Sequence, residues 1–469
     1  MSNTNSLKTD RVIEVVNPFD QLVIGSVDRK SWDEVDACLS VAHQLHMHRK
    51  NWIPVYRRIE ILKKTATIMQ SRFEELAYQI ANEGGKPLID ARVEVSRAID
   101  GVELCASNIM SLAGREIPMD LTAAGAGRLA FTSREPIGVV VAVSAFNHPL
   151  NLIVHQVGPA VAAGCPVLVK PADDTPLSCQ SFVNILYEAG LAEEWCCFAP
   201  CDTPTAEKLV TDPRVAFFSF IGSAKVGWML RSKLAQGTRC ALEHGGAAPV
   251  IIDENADIEE MIPKLVKGGY YHSGQVCVSV QRIYAPKKIA ATIGPLLAEE
   301  VSKLVVGNAV YEETECGPLI RPREVDRVSD WVEEARQAGA SVLAGGQKLG
   351  ATTYAPTVLH RPPLDVSVSQ KEIFGPVVCI YDYEAIEDAF TMANSLPFAF
   401  QASVFTSSLD TAMNAIRNLD ATAVMVNDHT AFRVDWMPFA GRRQSGYGTG
   451  GIGYTMHDMT HDKMAIIKL

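Results

Sequence analysis

From residue 137 onward, short apolar runs alternate with helical patterns. No other feature constrains the fold as strongly, because apolar strands separated by helix-length connections are how a parallel sheet covered on both faces is written in sequence. Gly138–Ser144 (GVVVAVS) reads as a buried strand, Leu150–Ala163 as a helix and Pro166–Lys170 (PVLVK) as the next strand. A helix opens near Thr175–Ser178, where Pro176 suits the first helical turn. Strands are then expected over Trp195–Ala199, Ala216–Ile221 and Thr238–Leu242, with helices over Thr205–Val210 and Lys225–Gln236. This is a doubly wound, nucleotide-binding layout, although periodicity alone does not name the nucleotide.

Residues 249–430 read as a second α/β unit. Helices are expected over Ile258–Val266, Ala290–Val305 and Glu324–Ala338, with Val280–Tyr284 extended. The segment 113–134 differs from both units: turn residues and two short extended stretches predict a hairpin projecting from the body. The last stretch, Lys463–Leu469 (KMAIIKL), is an apolar strand that needs a partner, and a second subunit is one supplier.

Composition narrows the class. With 469 residues, 47% hydrophobic and 21% charged, the chain has material for several cores, which excludes a disordered chain or a disulfide mini-scaffold. Lys and Arg number 43 against 54 Asp and Glu, and the net charge of −11 argues against nucleic acid as a partner. No apolar run reaches the roughly 18–20 residues needed to span a bilayer; the longest, Val139–Phe146, has the length of a strand. The polar N-terminus lacks the apolar core of a secretory signal. Eleven scattered cysteines fit thiols kept reduced in the cytoplasm. Cys196, Cys197 and Cys201, and Cys277 near His272, do not match a paired CxxC frame, so no metal is expected.

Several motifs carry chemistry. Gly448–Gly453 matches GxGxxG but lacks the strand before it and the surrounding βαβ unit, so a flexible turn is the better reading. Gly222-Ser223-Ala-Lys-Val-Gly227 does join a strand to a helix, where backbone N–H groups and the helix dipole favour a phosphate; the other reading is an ordinary turn capped by Ser223. Lys170 and Asp173 close a strand facing the crevice, where Asp173 could accept from ribose hydroxyls and Lys170 donate. Cys277 follows a glycine-led loop, Glu243 ends a strand beside Gly245 and Gly246, and Asn147 sits at another strand end. A thiol nucleophile, a carboxylate base and an amide donor form a covalent-catalysis set, provided that they meet in space.

Seven collinear motifs give the chain a specific resemblance. PIGVVVAVSAFNHP (136–149), GPAVAAGCPVLVKPADDTPLS (158–178), GSAKVG (222–227), LEHGG (242–246), GQVC (274–277), EIFGPV (372–377) and PFAGRRQSG (438–446) together resemble the aldehyde dehydrogenase superfamily over essentially the whole length, nearest to lactaldehyde and succinate-semialdehyde dehydrogenase-like members. The resemblance implies an α/β fold with a doubly wound parallel-sheet cofactor domain (1–112 and 135–242), a catalytic α/β domain (243–440), and an oligomerisation arm with a C-terminal tail (113–134 and 441–469). It implies Cys277 as nucleophile, Glu243 as general base and Asn147 as oxyanion donor. Lys170, Asp173, Gly222, Ser223, Glu372 and Phe374 are implied around a nicotinamide dinucleotide: NAD is favoured by Asp173 and NADP stays open. It also implies a cytoplasmic homodimer or homotetramer acting on a small aldehyde.

Departures from the pattern bear on specificity. Phe146 and His148 flank Asn147 where tryptophan and phenylalanine are frequent, His244 stands where leucine is usual, Ile221 replaces threonine and Ala440 replaces glycine. Arg433 borders the expected substrate entrance, and His155 aligns with a carboxylate-binding arginine of succinate-semialdehyde dehydrogenases. The alternatives are a surface ion pair between Arg433 and Asp435, and a core histidine at 155. Together these residues point to a short aldehyde with a polar or anionic tail, oxidised through a cysteine thiohemiacetal and thioester that water hydrolyses. A CoA-acylating enzyme and an inactive binding homologue are the rivals.

Overall fold

The computed structural model describes residues 11–469. The polar N-terminal stretch begins outside the described residues; its continuation, Val12–Val16, pairs antiparallel with Val23–Asp28. Four helices follow: α1 (Trp32–Met47), α2 (Val55–Ser71), α3 (Phe73–Gly84) and α4 (Leu88–Asn108).

The alternating pattern forms a six-stranded sheet. Its strands are β2 (Val139–Val143), β3 (Val167–Lys170), β4 (Cys196–Phe198), β5 (Val215–Ile221), β6 (Arg239–Glu243) and a short β14 (Gly446–Tyr447). In space β4, β3, β2, β5 and β6 run parallel, and β14 joins β6 antiparallel. The chain fills one side of β2 before crossing to the other, so a switch point opens between β2 and β5 at the carboxyl ends of the strands, where doubly wound sheets bind ligands. Val139, Val140, Val141 and Ala142 are all fully buried because both faces are covered. Helices α2 to α4, α5 (Asn151–Ala163) and α6 (Pro176–Ala189) pack on one face, and α1, α7 (Thr203–Val210) and α8 (Ala224–Arg231) on the other. Each fully buried valine contributes about 1.5–3 kcal/mol.

A second, seven-stranded sheet supplies the opposite wall of the cleft. Its spatial order is β9 (Ser341–Ala344), β10 (Thr357–His360), β11 (Val377–Tyr383), β8 (Val280–Pro286), β7 (Ala248–Ile252), β12 (Gln401–Phe405) and β13 (Ala423–Val426), parallel except for β9. Apolar clusters cover both of its faces.

Three local readings of the sequence change. Trp195 belongs to a 3₁₀ turn (Glu193–Trp195), so the edge strand begins at Cys196. The helix expected to reach Gln236 stops at Arg231; Lys233 and Leu234 make three-residue turns back to Leu230 and Arg231, and Gly237 (φ 88°) redirects the chain into β6. The C-terminal strand, β15 (Thr460–Lys468), does not wait for a second subunit. It pairs with β1 (Arg128–Pro136) of its own chain from Thr460↔Pro136 to Lys468↔Arg128, and Glu116–Ile117 covers the other edge of β1. The expected hairpin at 113–134 is therefore the core of a three-stranded sheet. No helix among the described residues is long and apolar enough to cross a membrane.

Candidate active site

A cavity of about 680 Å³ lies where the carboxyl ends of the first sheet meet the second. From the first sheet it is lined by Asn147, Lys170, Asp173, Gly222, Ser223 and Glu243; from the opposite side by Cys277, Glu372, Phe374 and Arg433. Ten of the eleven residues singled out in the sequence thus face one space. His155 is the exception.

The Cys277 loop is fixed by its backbone. After α9 (Ile258–Tyr270), His272, Ser273 and Gly274 all adopt left-handed conformations (φ 47°, 56° and 70°). At Gly274 even a methyl group would lie 2.2 Å from the Gly375 carbonyl, so the GQVC and EIFGPV motifs meet backbone to backbone. Asn147 donates one amide hydrogen to the Gln275 carbonyl at 2.9 Å, tying the end of β2 to the same loop and leaving its second N–H for a ligand. Burial pushes the Cys277 thiol up to about 12, opposed by the Arg433 charge and reinforced by Glu372 and Glu243. The resting group is a neutral thiol that needs a base to become a nucleophile.

Glu243 lines the same cavity as Cys277. Burial raises its pKa above the ordinary carboxylate value and Arg433 pulls it back, so the carboxyl holds a proton more readily than an exposed one. A methyl group on Gly450 would lie 2.1 Å from Glu243 Oε1. The GxGxxG decoy therefore has a use: its backbone packs directly against Glu243. Next to it, a Cβ on Gly245 would overlap Glu372 Oε1 at 1.7 Å, and Glu372 Oε1 accepts from the Gly246 N–H at 3.2 Å. His244 turns away, its Nδ1 held 2.9 Å from the Gly222 carbonyl with Phe220 and Trp228 beside the ring.

The β2/β5 side suits a dinucleotide. Ser223 stands at the N-cap of α8, but its hydroxyl makes no capping bond, which sets aside the capped-turn reading and leaves the first turn of the helix open to an anion. Lys170 Nζ and Asp173 Oδ1 pair at 2.6 Å, offering a donor and an acceptor to ribose hydroxyls. Glu372 supplies a further carboxyl, raised to about 8 by burial. Phe374, in a left-handed conformation, sets its ring edge-on to Phe146 at 5.9 Å. This donor set, with an open helix terminus between sugar-binding groups, fits a nicotinamide dinucleotide.

The opposite end of the cavity is organised by a residue the sequence reading did not place there. Asp435 is buried and accepts from Arg97 through both oxygens (2.7 and 3.1 Å), from Asn151 Nδ2 (3.2 Å) and from His155 Nε2 (2.7 Å). Burial pushes its carboxyl up, but the bonds from His155 and the charge of Arg97 outweigh that and hold it well below the usual carboxylate range. His155 is lowered to about 4 by burial and by Arg433, so it is neutral: Nε2–H donates to Asp435, and Nδ1 accepts from Arg433 Nη2 at 3.4 Å. Both ring nitrogens are used inside the protein. His155 stands behind Arg433, not against a ligand. Arg433 makes no ion pair with Asp435; it lies over the Phe439 ring at 3.5 Å and faces the cavity, as does Arg97. Asp90, Glu94 and Arg97 share one face of α4, and each finds a partner across the interior. Asp90 pairs with Lys267 at 2.5 Å, and Glu94 with the fully buried Lys86 and with the Leu150 and Asn151 N–H groups at the start of α5.

A half-buried thiol, a half-buried carboxyl and an amide donor thus line one cavity, the set of groups that covalent thiol chemistry uses. The Aldehyde dehydrogenase family profile matches residues 5–465, and the chain belongs to that family. It is 36% identical over 462 residues to a 3-sulfolactaldehyde dehydrogenase of Priestia aryabhattai, covering 98% of this chain and 96% of that one. Among solved structures it resembles aldehyde dehydrogenase 21 of Physcomitrella patens in complex with the reaction product succinate (TM-score 0.94, 32% identity, 97% and 95% covered). It also resembles glyceraldehyde-3-phosphate dehydrogenase GapN of Methanocaldococcus jannaschii complexed with NADP (TM-score 0.93, 32% identity, 97% and 99% covered). The protein is an NAD(P)-dependent aldehyde dehydrogenase.

Proposed function

We propose that the enzyme oxidises a short aldehyde bearing an anionic tail to its carboxylic acid, with water as the acyl acceptor. The observation that carries this reading is the pair of arginines, Arg433 and Arg97, on the wall of the cavity that holds Cys277 and Glu243. In a partly desolvated site a planar guanidinium suits a carboxylate or sulfonate better than a neutral tail. A relative that acts on 3-sulfolactaldehyde and a structural neighbour holding succinate support the same class.

Glu243 removes the proton from Cys277, and the thiolate adds to the aldehyde carbonyl. The second Asn147 N–H and the Cys277 backbone N–H receive the developing oxyanion. When bound, the nicotinamide supplies the hydride acceptor. Loss of hydride leaves a thioester on Cys277, and Glu243 then takes a proton from water as it attacks. Lys170, Asp173, Gly222, Ser223, Glu372 and Phe374 hold the dinucleotide. NAD is preferred over NADP, because the Asp173 carboxylate paired with Lys170 disfavours the added negative charge of a 2′-phosphate. Free thiols throughout suit the cytoplasm, and the open outer edge of β15 suits a homodimer or homotetramer.

The test is an aldehyde panel, read by NADH and NADPH absorbance without CoA, on wild type and Arg433→Leu. Because Arg433 also eases ionisation of Glu243 and Cys277, the variant should slow on every substrate. The ratio of kcat/KM for succinate semialdehyde or sulfolactaldehyde over propanal should fall by about 10- to 150-fold. An unchanged ratio would confine Arg433 to that electrostatic role and remove the anionic-substrate reading. A strict need for CoA would overturn hydrolysis.

A further inference from the structure

The loops that carry Asn147 and the Lys170–Asp173 pair run into helices α5 and α6, and neither helix caps itself. Leu150 and Thr175, the residues before the first turns, make no side-chain capping bond. Carboxylates from another part of the chain take the free N–H groups instead. Glu83, in the last turn of α3, accepts from the Leu177 N–H at 2.8 Å through one oxygen and from the Ser178 N–H at 2.7 Å through the other. Glu94, on α4, accepts from the Leu150 and Asn151 N–H groups, both at 3.0 Å, and pairs with Lys86 through its second oxygen. All three side chains are at most 1% exposed, and none lines the catalytic cavity.

The turn between α3 and α4 meets three parts of the site. A methyl group on Gly84 would lie 3.7 Å from Thr175 Cγ2 and 3.8 Å from the Phe146 carbonyl oxygen, so α3 ends between the two loops. A Cβ on Gly317 would come within 2.1 Å of the Gly85 carbonyl oxygen. Just beyond Gly317, the Pro318 carbonyl and the Ile320 N–H hold the Gln275 side chain at 3.2 and 3.0 Å, on the loop that carries Cys277.

We propose that Glu83 and Glu94 are positioning residues for the dehydrogenase: Glu83 sets the Lys170–Asp173 loop for the dinucleotide, and Glu94 sets Asn147 for the oxyanion. This rests on the roles given above to Lys170 and Asn147. A buried carboxylate is costly to desolvate, whereas a hydroxyl at the cap position would satisfy the helix end locally. Thr175 is a residue suited to that task, yet its buried hydroxyl makes no hydrogen bond. A cap drawn from another helix does more than close the first turn, because it anchors the end of the loop to α3 and α4. Asp173 stands four residues before Leu177 and Asn147 three before Leu150, so a shift at either anchor reaches the side chain that meets the ligand.

Double-mutant cycles on the full-length enzyme test this, with NADH absorbance giving kcat and fluorescence titration giving the Kd of NAD. Burial pushes Glu83 up to about 7, so the assays run at about pH 8.5, where it is ionised. Glu83→Gln keeps the shape but turns an amide N–H toward a backbone N–H; Kd for NAD should rise about tenfold while kcat stays within about twofold. Glu94→Gln should lower kcat about tenfold on every aldehyde and leave Kd within about twofold. If each residue acts through its loop, the losses do not multiply. Glu83→Gln should then add less than about twofold to the Kd of Lys170→Met, and Glu94→Gln less than about twofold to the kcat loss of Asn147→Ala. Should Glu94→Gln fail to accumulate, Lys86→Met with Glu94→Gln removes both buried charges together and carries the same expectations. Losses that multiply, as a general folding defect would make them, or equal effects of both variants on Kd and kcat would overturn the proposal alone. Lys170→Met or Asn147→Ala without effect by itself would overturn the roles on which it rests, and the proposal with them.

Discussion

The two ends of the catalytic cavity are built on different principles. At the cofactor end, Lys170, Gly222, Ser223 and Glu243 sit at or just beyond the carboxyl ends of adjacent parallel strands, so the topology that makes the sheet also makes the site. At the substrate end, Arg97 comes from the middle of a helix, Arg433 from an irregular stretch and Asp435 from two residues further on; hydrogen bonds through Asp435 and His155 hold them together. A sheet edge needs no such clasp. The cofactor end is hard to alter without altering the fold, whereas the substrate end can be changed one side chain at a time.

The largest break in that comparison lies at its centre, where both ends depend on one thiol. Cys277→Ser should reduce turnover by about three orders of magnitude or more on every aldehyde, while nicotinamide binding, followed by fluorescence quenching, stays within about twofold. Next in size, Glu243→Gln should slow both the formation of the Cys277 thiolate and deacylation, lowering kcat by about two orders of magnitude with no pre-steady-state burst of NADH. Burial raises the Glu243 pKa, and a base works only above its pKa; wild-type kcat should therefore fall as pH drops through that raised value. The low-pH limb should disappear in the variant, which a pH–rate profile checks.

Smaller changes separate the two ends. Lys170→Met leaves Asp173 without its 2.6 Å partner and removes a charged donor; KM for NAD should rise about tenfold with kcat nearly unchanged, whichever aldehyde is used. His155→Leu should do the opposite at the smallest scale. Losing a neutral acceptor costs about 1 kcal/mol, so KM for anionic aldehydes should rise about fivefold with KM for NAD unchanged. If His155→Leu raised KM for neutral and anionic aldehydes alike, its role would be packing and not the orientation of Arg433.

Legibility in the sequence divides along the same line. Strand β2 and helix α5 were read almost residue for residue, because a fully buried parallel strand is continuously apolar and a helix closed by Gly164 (φ 85°) announces its end. Cys277, Glu243 and Asn147 were legible as chemistry at the ends of elements. Arg97 was not, because a charged residue in a helix is most often solvated; its role depends on Asp435, 338 positions away. The strand partner of KMAIIKL was missed for a related reason: an apolar edge signals that it needs a partner but does not name one, and β1 lies more than 300 residues earlier.

What the sequence determined by itself is therefore what depends on neighbours along the chain: the doubly wound sheet, the turns that end its strands, and the thiol, carboxyl and amide side chains set at those ends. The tertiary structure alone decided which distant charges share a cavity. It placed His155 behind Arg433 and brought Arg97 to the wall. It also buried the Cys277 side chain, which pushes its thiol up to about 12. The physical reason is that periodicity and turn chemistry act over a few residues, whereas desolvation and charge act through space, among groups that only the finished fold brings together.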